Sequence, residues 1–166
     1  ELKDLGEVKH YLGIDISKNI EGDFLVSQSQ YIDKIIQAAG LVDAKTQNSP
    51  LDVGYYKLEG TALKQNDEYR KLVGMLLYVS TNTRPDISAS ISILSQRVID
   101  PRDTDFSQVK RVIRYLKATK NLKLQLSNRS ATESLMAFSD SDWAEDTTNR
   151  KSNSGFICSL LGGATS

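Results

Sequence analysis

The helical character of this chain is specified between Asp67 and Ile87, where the sequence reads DEYRKLVGMLLYVSTNTRPDI. Apolar residues recur there at intervals of three and four positions, which places them on one face of an α-helix; they are Tyr69, Leu72, Val73, Leu76 and Leu77. Asn66 or Asp67 has a side chain suited to capping the start of this helix. The helix should end before Arg84, because Pro85 disfavours helical geometry in the residue that precedes it.

Two more helices are predicted downstream. The first should run from about Asp86 to Val98, before Asp100-Pro101, on the apolar residues Ile87, Ile91, Leu94 and Val98. The second should run from about Thr104 to Ala118 on Phe106, Val109, Val112, Ile113 and Leu116. The three patterns together predict a helical middle region.

Strand patterns precede the helices. Between His10 and Ile16 apolar residues alternate with polar or small ones, as in a half-buried strand. Phe24-Leu25-Val26 reads as a second strand after a turn cluster at residues 19–23. A β-hairpin is therefore predicted near the start of the chain.

A short helix and a long connection should follow this hairpin. Ser27 and Gln30 have the spacing of a capping box, and Gly40 lies where a carboxy-terminal cap belongs. Residues 43–64 show no sustained period, so we interpret them as a long ordered connection. Its apolar residues should pack on the rest of the fold; they are Tyr55, Tyr56 and Leu58.

Strands resume after the third helix of the middle region. Leu122, Leu124 and Leu126 alternate as in a strand, and residues 135–138 and 155–160 read as a hairpin across a polar loop. The predicted fold class is therefore α+β, with a domain boundary in the polar stretch 127–133. Because an isolated hairpin is marginal in water, the last sheet looks incomplete.

The composition is that of a globular protein and excludes several classes of function. Hydrophobic residues make up 39% and charged residues 25% of the chain, unlike a disordered sequence. One cysteine, Cys158, and one histidine, His10, cannot supply the roughly four ligands of a structural zinc site. No run of 18 apolar residues is present, so no membrane span is predicted. Basic and acidic residues balance at 21 each, which argues mildly against a freestanding nucleic-acid-binding domain.

Two aspartates are candidates for metal chemistry. Asp140 and Asp142 follow a predicted strand, and side chains two residues apart share one face of a strand. Mg²⁺ prefers carboxylate oxygens, but two-metal hydrolysis of phosphodiesters needs more carboxylates than these. A turn in which aspartate bonds the backbone is the alternative.

A basic row on the third predicted helix is a candidate phosphate contact. Lys110, Arg114 and Lys117 lie at helical spacing and can follow a phosphate backbone. An ordinary solvated helix face explains the same pattern.

A second candidate row lies on the first predicted helix. Gly74 is inside that helix, where glycine costs about 1 kcal/mol relative to alanine. Arg70, Gly74 and Tyr78 are four residues apart and therefore share a face that suits a groove of a nucleic-acid duplex. Close packing against another helix is the alternative reason for the glycine.

Six short motifs occur in order along the chain. They are Lys3-Asp4-Leu5-Gly6-Glu7, Tyr11-Leu12-Gly13-Ile14, Tyr69-Arg70-Lys71-Leu72-Val73-Gly74, Thr83-Arg84-Pro85-Asp86-Ile87, Ser139-Asp140-Ser141-Asp142-Trp143-Ala144, and Arg150-Lys151-Ser152 with Ser154-Gly155-Phe156. In this order the series resembles Ty1/copia-type retrotransposon polyproteins. Each motif alone is weak, but six in order across essentially the whole chain are specific.

The resemblance implies an arrangement of four parts. Residues 1–30 would be the end of the palm with a primer-grip-like hairpin, and residues 31–100 a thumb-like helical region. Residues 101–130 would be the connection, and residues 131–166 the first strands of a truncated ribonuclease H-like mixed sheet.

The resemblance also implies roles for the candidate residues. The groove-facing row would contact a primer–template or RNA–DNA hybrid. Asp140 would be the first catalytic, Mg²⁺-binding aspartate of ribonuclease H, whereas Asp142 has no such role in the family. The expected nucleic-acid-binding residues are Leu12, Gly13, Arg70, Gly74, Tyr78, Lys110, Arg114 and Lys117.

The parent would be an RNA-directed DNA polymerase with ribonuclease H activity, in an intracellular setting such as a cytoplasmic virus-like particle, the nucleus or both. The polymerase Tyr-x-Asp-Asp motif and the other ribonuclease H carboxylates are not in this sequence, so we expect the segment to be inactive alone. It would work with the other polymerase and ribonuclease H segments of the polyprotein. The alternative is a degenerate or domesticated, non-enzymatic interaction module.

Overall fold

The computed structural model describes residues 6–55, 58–127, 135–141, 152, 154–160 and 163–164. They confirm the α+β class and divide into two compact units. The helical unit contains Leu12–Ile14 and Ser27–Leu122, and the β unit contains the described parts of the rest of the chain. No described helix is both long enough and apolar enough to cross a membrane.

The helical unit has one core, to which all four of its helices contribute. The predicted apolar stripes form this core, and most of its side chains are completely buried. Burying each such side chain contributes about 2 kcal/mol. Leu77, predicted to belong to the stripe, is instead exposed. The helices are α1 (Ser29–Ala38), α2 (Asp67–Asn82), α3 (Ser88–Ser95) and α4 (Asp103–Thr119).

The sequence predicted the end of α1 correctly but not its start. Ser27 is the last residue of a strand, so the predicted capping box is wrong, and Gln28 precedes the helix without a side-chain capping bond. Gly40 is confirmed as the closing residue, with a φ of 65°. The amides of Gly40 and Leu41 donate to the carbonyls of Gln37 and Ile36. This pair of hydrogen bonds is typical of a helix that ends at a glycine.

Two of the other helices follow their predicted bounds, whereas α3 is shorter than predicted at both ends. Both α2 and α4 begin and end within about a residue of the prediction, whereas α3 ends at Ser95, before the predicted Val98. Pro85–Ile87 forms a 3₁₀ turn rather than the first turn of α3. Asn66 precedes α2 as predicted, but its side-chain amide donates to carbonyls after α3 instead of capping α2.

A four-stranded sheet in the β unit corrects the predicted first strand. Its strands, in spatial order, are β1 (His10–Tyr11), β2 (Ile14–Lys18), β3 (Phe24–Ser27) and β4 (Leu124–Leu126). The predicted continuous strand from His10 to Ile16 is wrong, because a turn at Leu12–Gly13 separates β1 from β2. The predicted β2–β3 hairpin is confirmed, and β4 pairs antiparallel with β3.

A second, three-stranded sheet confirms the predicted late hairpin. It consists of β5 (Leu135–Ser141), β6 (Ser154–Leu160) and β7 (Gly163–Ala164), and β5 pairs antiparallel with β6. Phe138 lies opposite Ile157, and both are exposed.

Candidate nucleic-acid interface

The turn between β1 and β2 has an unusual backbone. Leu12 has a φ of 49° and Gly13 a φ of 81°, and positive φ at both central residues is what a type I′ hairpin turn requires. Asn or Gly is usual at the first position, because an L-residue with a branched side chain loses about 1–2 kcal/mol in the left-handed region. Leu12 nevertheless occupies it, with its side chain 69% exposed.

Tyr78 of α2 holds this turn. Its hydroxyl donates a hydrogen bond to the carbonyl oxygen of Leu12, with the two oxygens 2.5 Å apart. Its ring meets the ring of Tyr31 edge-on, with centroids 5.3 Å apart. Burial and then the neighbouring Tyr78 raise the pKa of Tyr31 above its ordinary value. Leu12, Gly13 and Tyr78, predicted as candidates separately, therefore lie together.

The remainder of the row on α2 faces outward. Arg70 and Gly74 are exposed. A Cβ added at Gly74 would meet nothing within 4 Å, so close packing against another described helix, the alternative explanation, is wrong. We call the surface of Arg70, Gly74 and Tyr78 the α2 face; it has a bare centre, a cation at one end and an aromatic ring at the other.

The basic row on α4 has other partners. The Nε of Arg114 donates to the carbonyl of Lys45 over 2.5 Å, and the Nζ of Lys117 donates to the carbonyls of Val42 and Ala44 at 2.5 and 2.8 Å. Lys110 Nζ lies over the ring of Phe106, 4.3 Å from its centroid. Two of the three predicted phosphate contacts thus anchor a loop.

Residues 41–55 run along α4 and overlap the ordered connection predicted for residues 43–64; we call residues 41–55 the strap. Arg111 pairs with Asp52 at 2.7 Å and donates to the hydroxyl of Ser49. The amide of Gln108 bonds the same aspartate. Farther along the strap, Tyr55 is buried as predicted and donates its hydroxyl to the buried Asp105. Leu58, expected to pack, is exposed, and Tyr56 lies outside the described residues.

The Thr83–Ile87 motif builds a buried ionic junction. Arg84 is only 3% exposed and binds Asp86 through two nitrogens at 2.9 and 2.7 Å. The same guanidinium donates to the carbonyl and hydroxyl of Thr119, at the end of α4. Tyr115 also donates to Asp86, at 2.8 Å. Burial alone would raise the pKa of Asp86, but the hydrogen bonds from Arg84 and Tyr115 outweigh it and lower that pKa.

The candidate metal ligand Asp140 lies on β5 opposite Gly155 and is exposed. Asp142 lies outside the described residues. Within the described part of the chain, no three His, Cys, Asp or Glu side chains gather as a metal site would require. One exposed carboxylate does not fit a Mg²⁺ site by itself.

Comparison with known proteins places the chain among transposon proteins. It is 41% identical over 162 residues to an uncharacterized mitochondrial protein of Arabidopsis thaliana. It is 35% identical over 163 residues to the retrovirus-related Pol polyprotein from transposon RE1 of the same plant, and 30% identical over 176 residues to that from transposon TNT 1-94 of Nicotiana tabacum. The chain belongs to the Ty1/copia-type retrotransposon Pol family.

This Pol segment is a small part of the polyproteins that it matches. Each alignment covers 96% or more of the segment, but only 11% of the RE1 polyprotein and 13% of the TNT 1-94 polyprotein. The segment spans 66% of the mitochondrial relative. No protein-family model matches it, and no solved structure matches it.

Three residues with a structural role in the Pol segment were not among the predicted site residues. They are Tyr31, Arg84 and Arg111. No local signal in the sequence could have found the contacts of Arg111, because its partners Asp52 and Ser49 lie 59 and 62 positions away.

Proposed function

We propose that this Pol segment binds the primer–template, or an RNA–DNA hybrid, through the α2 face and the Leu12–Gly13 turn. The parent polyprotein would be an RNA-directed DNA polymerase with ribonuclease H activity. The observation that carries the proposal is the hydrogen bond between the Tyr78 hydroxyl and the Leu12 carbonyl. It joins the turn to a helix face that is bare at Gly74.

The chemistry of this surface suits a shallow groove. A helix without a side chain at its centre can bring its backbone close to another surface. The minor groove of an A-form duplex is wide and shallow and presents sugars and base edges. Arg70 can reach a phosphate at the edge of such a groove, while Leu12 and Tyr78 offer apolar surface to the sugars. In the complete polyprotein, Asp140 would supply one ligand of a Mg²⁺ site.

Fluorescence anisotropy with a labelled RNA–DNA hybrid tests the proposal. We expect Arg70→Ala and Tyr78→Ala each to weaken binding several-fold, because they remove a charged contact and the support of the turn. Lys34→Ala, which removes an exposed lysine of α1, is the matched control and should bind like the unmodified chain. An unchanged affinity in Arg70→Ala together with a loss in Lys110→Ala would overturn the assignment of the α2 face.

A second candidate function is a non-enzymatic interaction module derived from such an element. It is favoured by a relative that is not a polyprotein: a secreted RxLR effector protein of Plasmopara viticola is 40% identical over 102 residues, which are 61% of this chain and 71% of the relative. The complete open reading frame distinguishes the two. An intact Tyr-x-Asp-Asp motif upstream and ribonuclease H carboxylates downstream support the polymerase, whereas replaced aspartates support the module.

A further inference from the structure

We infer that Tyr31 and Tyr78 form a two-ring clamp that fixes the Leu12–Gly13 turn, and that Tyr31 is a positioning residue for nucleic-acid binding. The second half of this inference rests on the proposed function; the clamp itself does not. Tyr31 is not among the residues that the sequence predicted to bind nucleic acid.

The turn needs an external support. Leu12 is the only non-glycine residue with a positive φ in the described part of the chain. Its exposed side chain buries little surface that could offset the left-handed backbone. Conformations of this kind persist where the surroundings hold them, and they concentrate at ligand-contacting sites.

The Tyr78 hydroxyl provides that support. It is the donor to the Leu12 carbonyl, so it fixes the orientation of the peptide unit that enters Gly13. The aromatic ring lies one turn beyond Gly74 on α2, which means that the bond also fixes the turn beside the bare centre of the α2 face.

Tyr31 determines where the Tyr78 ring lies. The two rings meet edge-on at an interplanar angle of 72°, the geometry in which the positive edge of one ring faces the negative face of the other. Tyr31 projects from α1, whose neighbours Ile32, Ile35 and Ile36 are fixed in the core. The clamp therefore transmits the rigidity of the core to an exposed turn.

This arrangement assigns separate tasks to three side chains. Tyr31 would hold Tyr78, Tyr78 would hold the turn, and Leu12 would touch the duplex. Loss of the Tyr31 ring should then weaken binding, although Tyr31 itself contacts no nucleic acid in this arrangement. A ring without a hydroxyl at position 31 should suffice.

Hydrogen exchange at residues 12–14 tests the clamp without any ligand. We expect Tyr78→Phe to speed exchange there about fivefold, the factor that corresponds to one neutral hydrogen bond. Tyr31→Leu should do the same, while Tyr31→Phe keeps the ring contact and should exchange like the unmodified chain. In a Leu12→Gly background the effect of Tyr78→Phe on exchange should largely disappear, because glycine adopts the turn without support.

Binding of the labelled RNA–DNA hybrid tests the positioning role with the same variants. Tyr31→Leu should weaken binding about fivefold, whereas Tyr31→Phe should bind like the unmodified chain. Unchanged exchange at the turn in both Tyr78→Phe and Tyr31→Leu would overturn the clamp. If exchange responds as expected but the unmodified chain does not bind the hybrid, the proposed function and the positioning role fail together while the clamp stands. If the hybrid binds and Tyr31→Leu does not weaken it, the positioning role alone fails.

Discussion

Glycine at position 74 lowers the stability of α2 but favours the proposed contact with nucleic acid. A methyl group at this position would meet open space, so nothing in the described fold requires glycine. We therefore predict that Gly74→Ala raises the free energy of unfolding by about 1 kcal/mol and weakens hybrid binding. Urea denaturation and anisotropy on the same samples check both effects. A destabilised Gly74→Ala variant would contradict the first, and tighter binding the second.

Leu12 presents the same conflict in the turn. Asparagine tolerates positive φ better than leucine does, so we predict that Leu12→Asn stabilises the chain by about 1 kcal/mol. Loss of the exposed apolar side chain should at the same time weaken hybrid binding. The stability change is measured by urea denaturation, with Leu122→Asn, another exposed leucine, as the control that should change little. A less stable Leu12→Asn chain would show that the leucine side chain itself supports the turn.

The residue scale also shows where sequence reasoning stops. Gly74 was recognised because glycine is costly in any helix, and Tyr78 because it shares a face with Gly74. Leu12 carries no local sign of a left-handed backbone, and the alternation around it predicted a continuous strand. The contact between Tyr31 and Tyr78 joins two helices 47 positions apart in sequence, which periodicity cannot reveal.

Among the elements, α4 owes its carboxy-terminal attachment to the Arg84–Asp86 pair. Because the pKa of Asp86 is lowered on folding, its ionic contribution is complete above the ordinary carboxyl pKa near 4 and is lost as pH falls through the lower folded value. We predict that Asp86→Asn costs about 2 kcal/mol at pH 7. The difference from the unmodified chain should shrink in acid below about pH 4. Urea denaturation from pH 7 to pH 3 measures it, and a difference that grows in acid would contradict the assignment.

A variant of Arg114 tests whether this residue anchors the strap or contacts nucleic acid. Arg114→Ala removes a charged donor from the Lys45 carbonyl, so we expect thermolysin to cleave residues 41–55 several-fold faster. Hybrid affinity should stay within twofold. Lys110→Ala, which has no contact with the strap among those described, is the control for cleavage. A clear loss of hybrid affinity in Arg114→Ala would place this residue in the interface instead.

The positions of the helices were predicted better than the contacts of their basic side chains. The apolar stripes of α2 and α4 are local patterns, and the core uses them as the sequence indicates. The partners of Arg111, Arg114 and Lys117 are 59 to 75 positions away along the chain, so the basic row alone was equally compatible with phosphate, solvent or a loop.

For the whole molecule, the sequence predicted an α+β chain but not how its strands combine. The first hairpin follows from alternation on one side of a turn cluster at residues 19–23, and the pairing of β5 with β6 follows from two strand-like runs on either side of a polar loop. The pairing of β3 with β4 joins residues separated by four helices, and a three-residue strand carries no sign of its partner. Likewise, the segment of the Pol polyprotein was identifiable from ordered motifs, whereas the proposed interface depends on which basic side chains the fold leaves exposed.

The balance of charge leads to a prediction about salt. The chain has no net formal charge, and the strap binds Arg111, Arg114 and Lys117 of α4. Helix α2 has two basic residues, Arg70 of the α2 face and its neighbour Lys71, and we expect both to contact phosphates. Two phosphate contacts correspond to a slope of about −1.8 in a plot of log affinity against log salt concentration. If Lys110, Arg114 and Lys117 also contacted phosphates, the slope would be about −4.5. Measuring the affinity for the labelled hybrid at several salt concentrations from about 50 to about 200 mM distinguishes the two slopes. The steeper slope would mean that α4 releases the strap and binds the duplex itself.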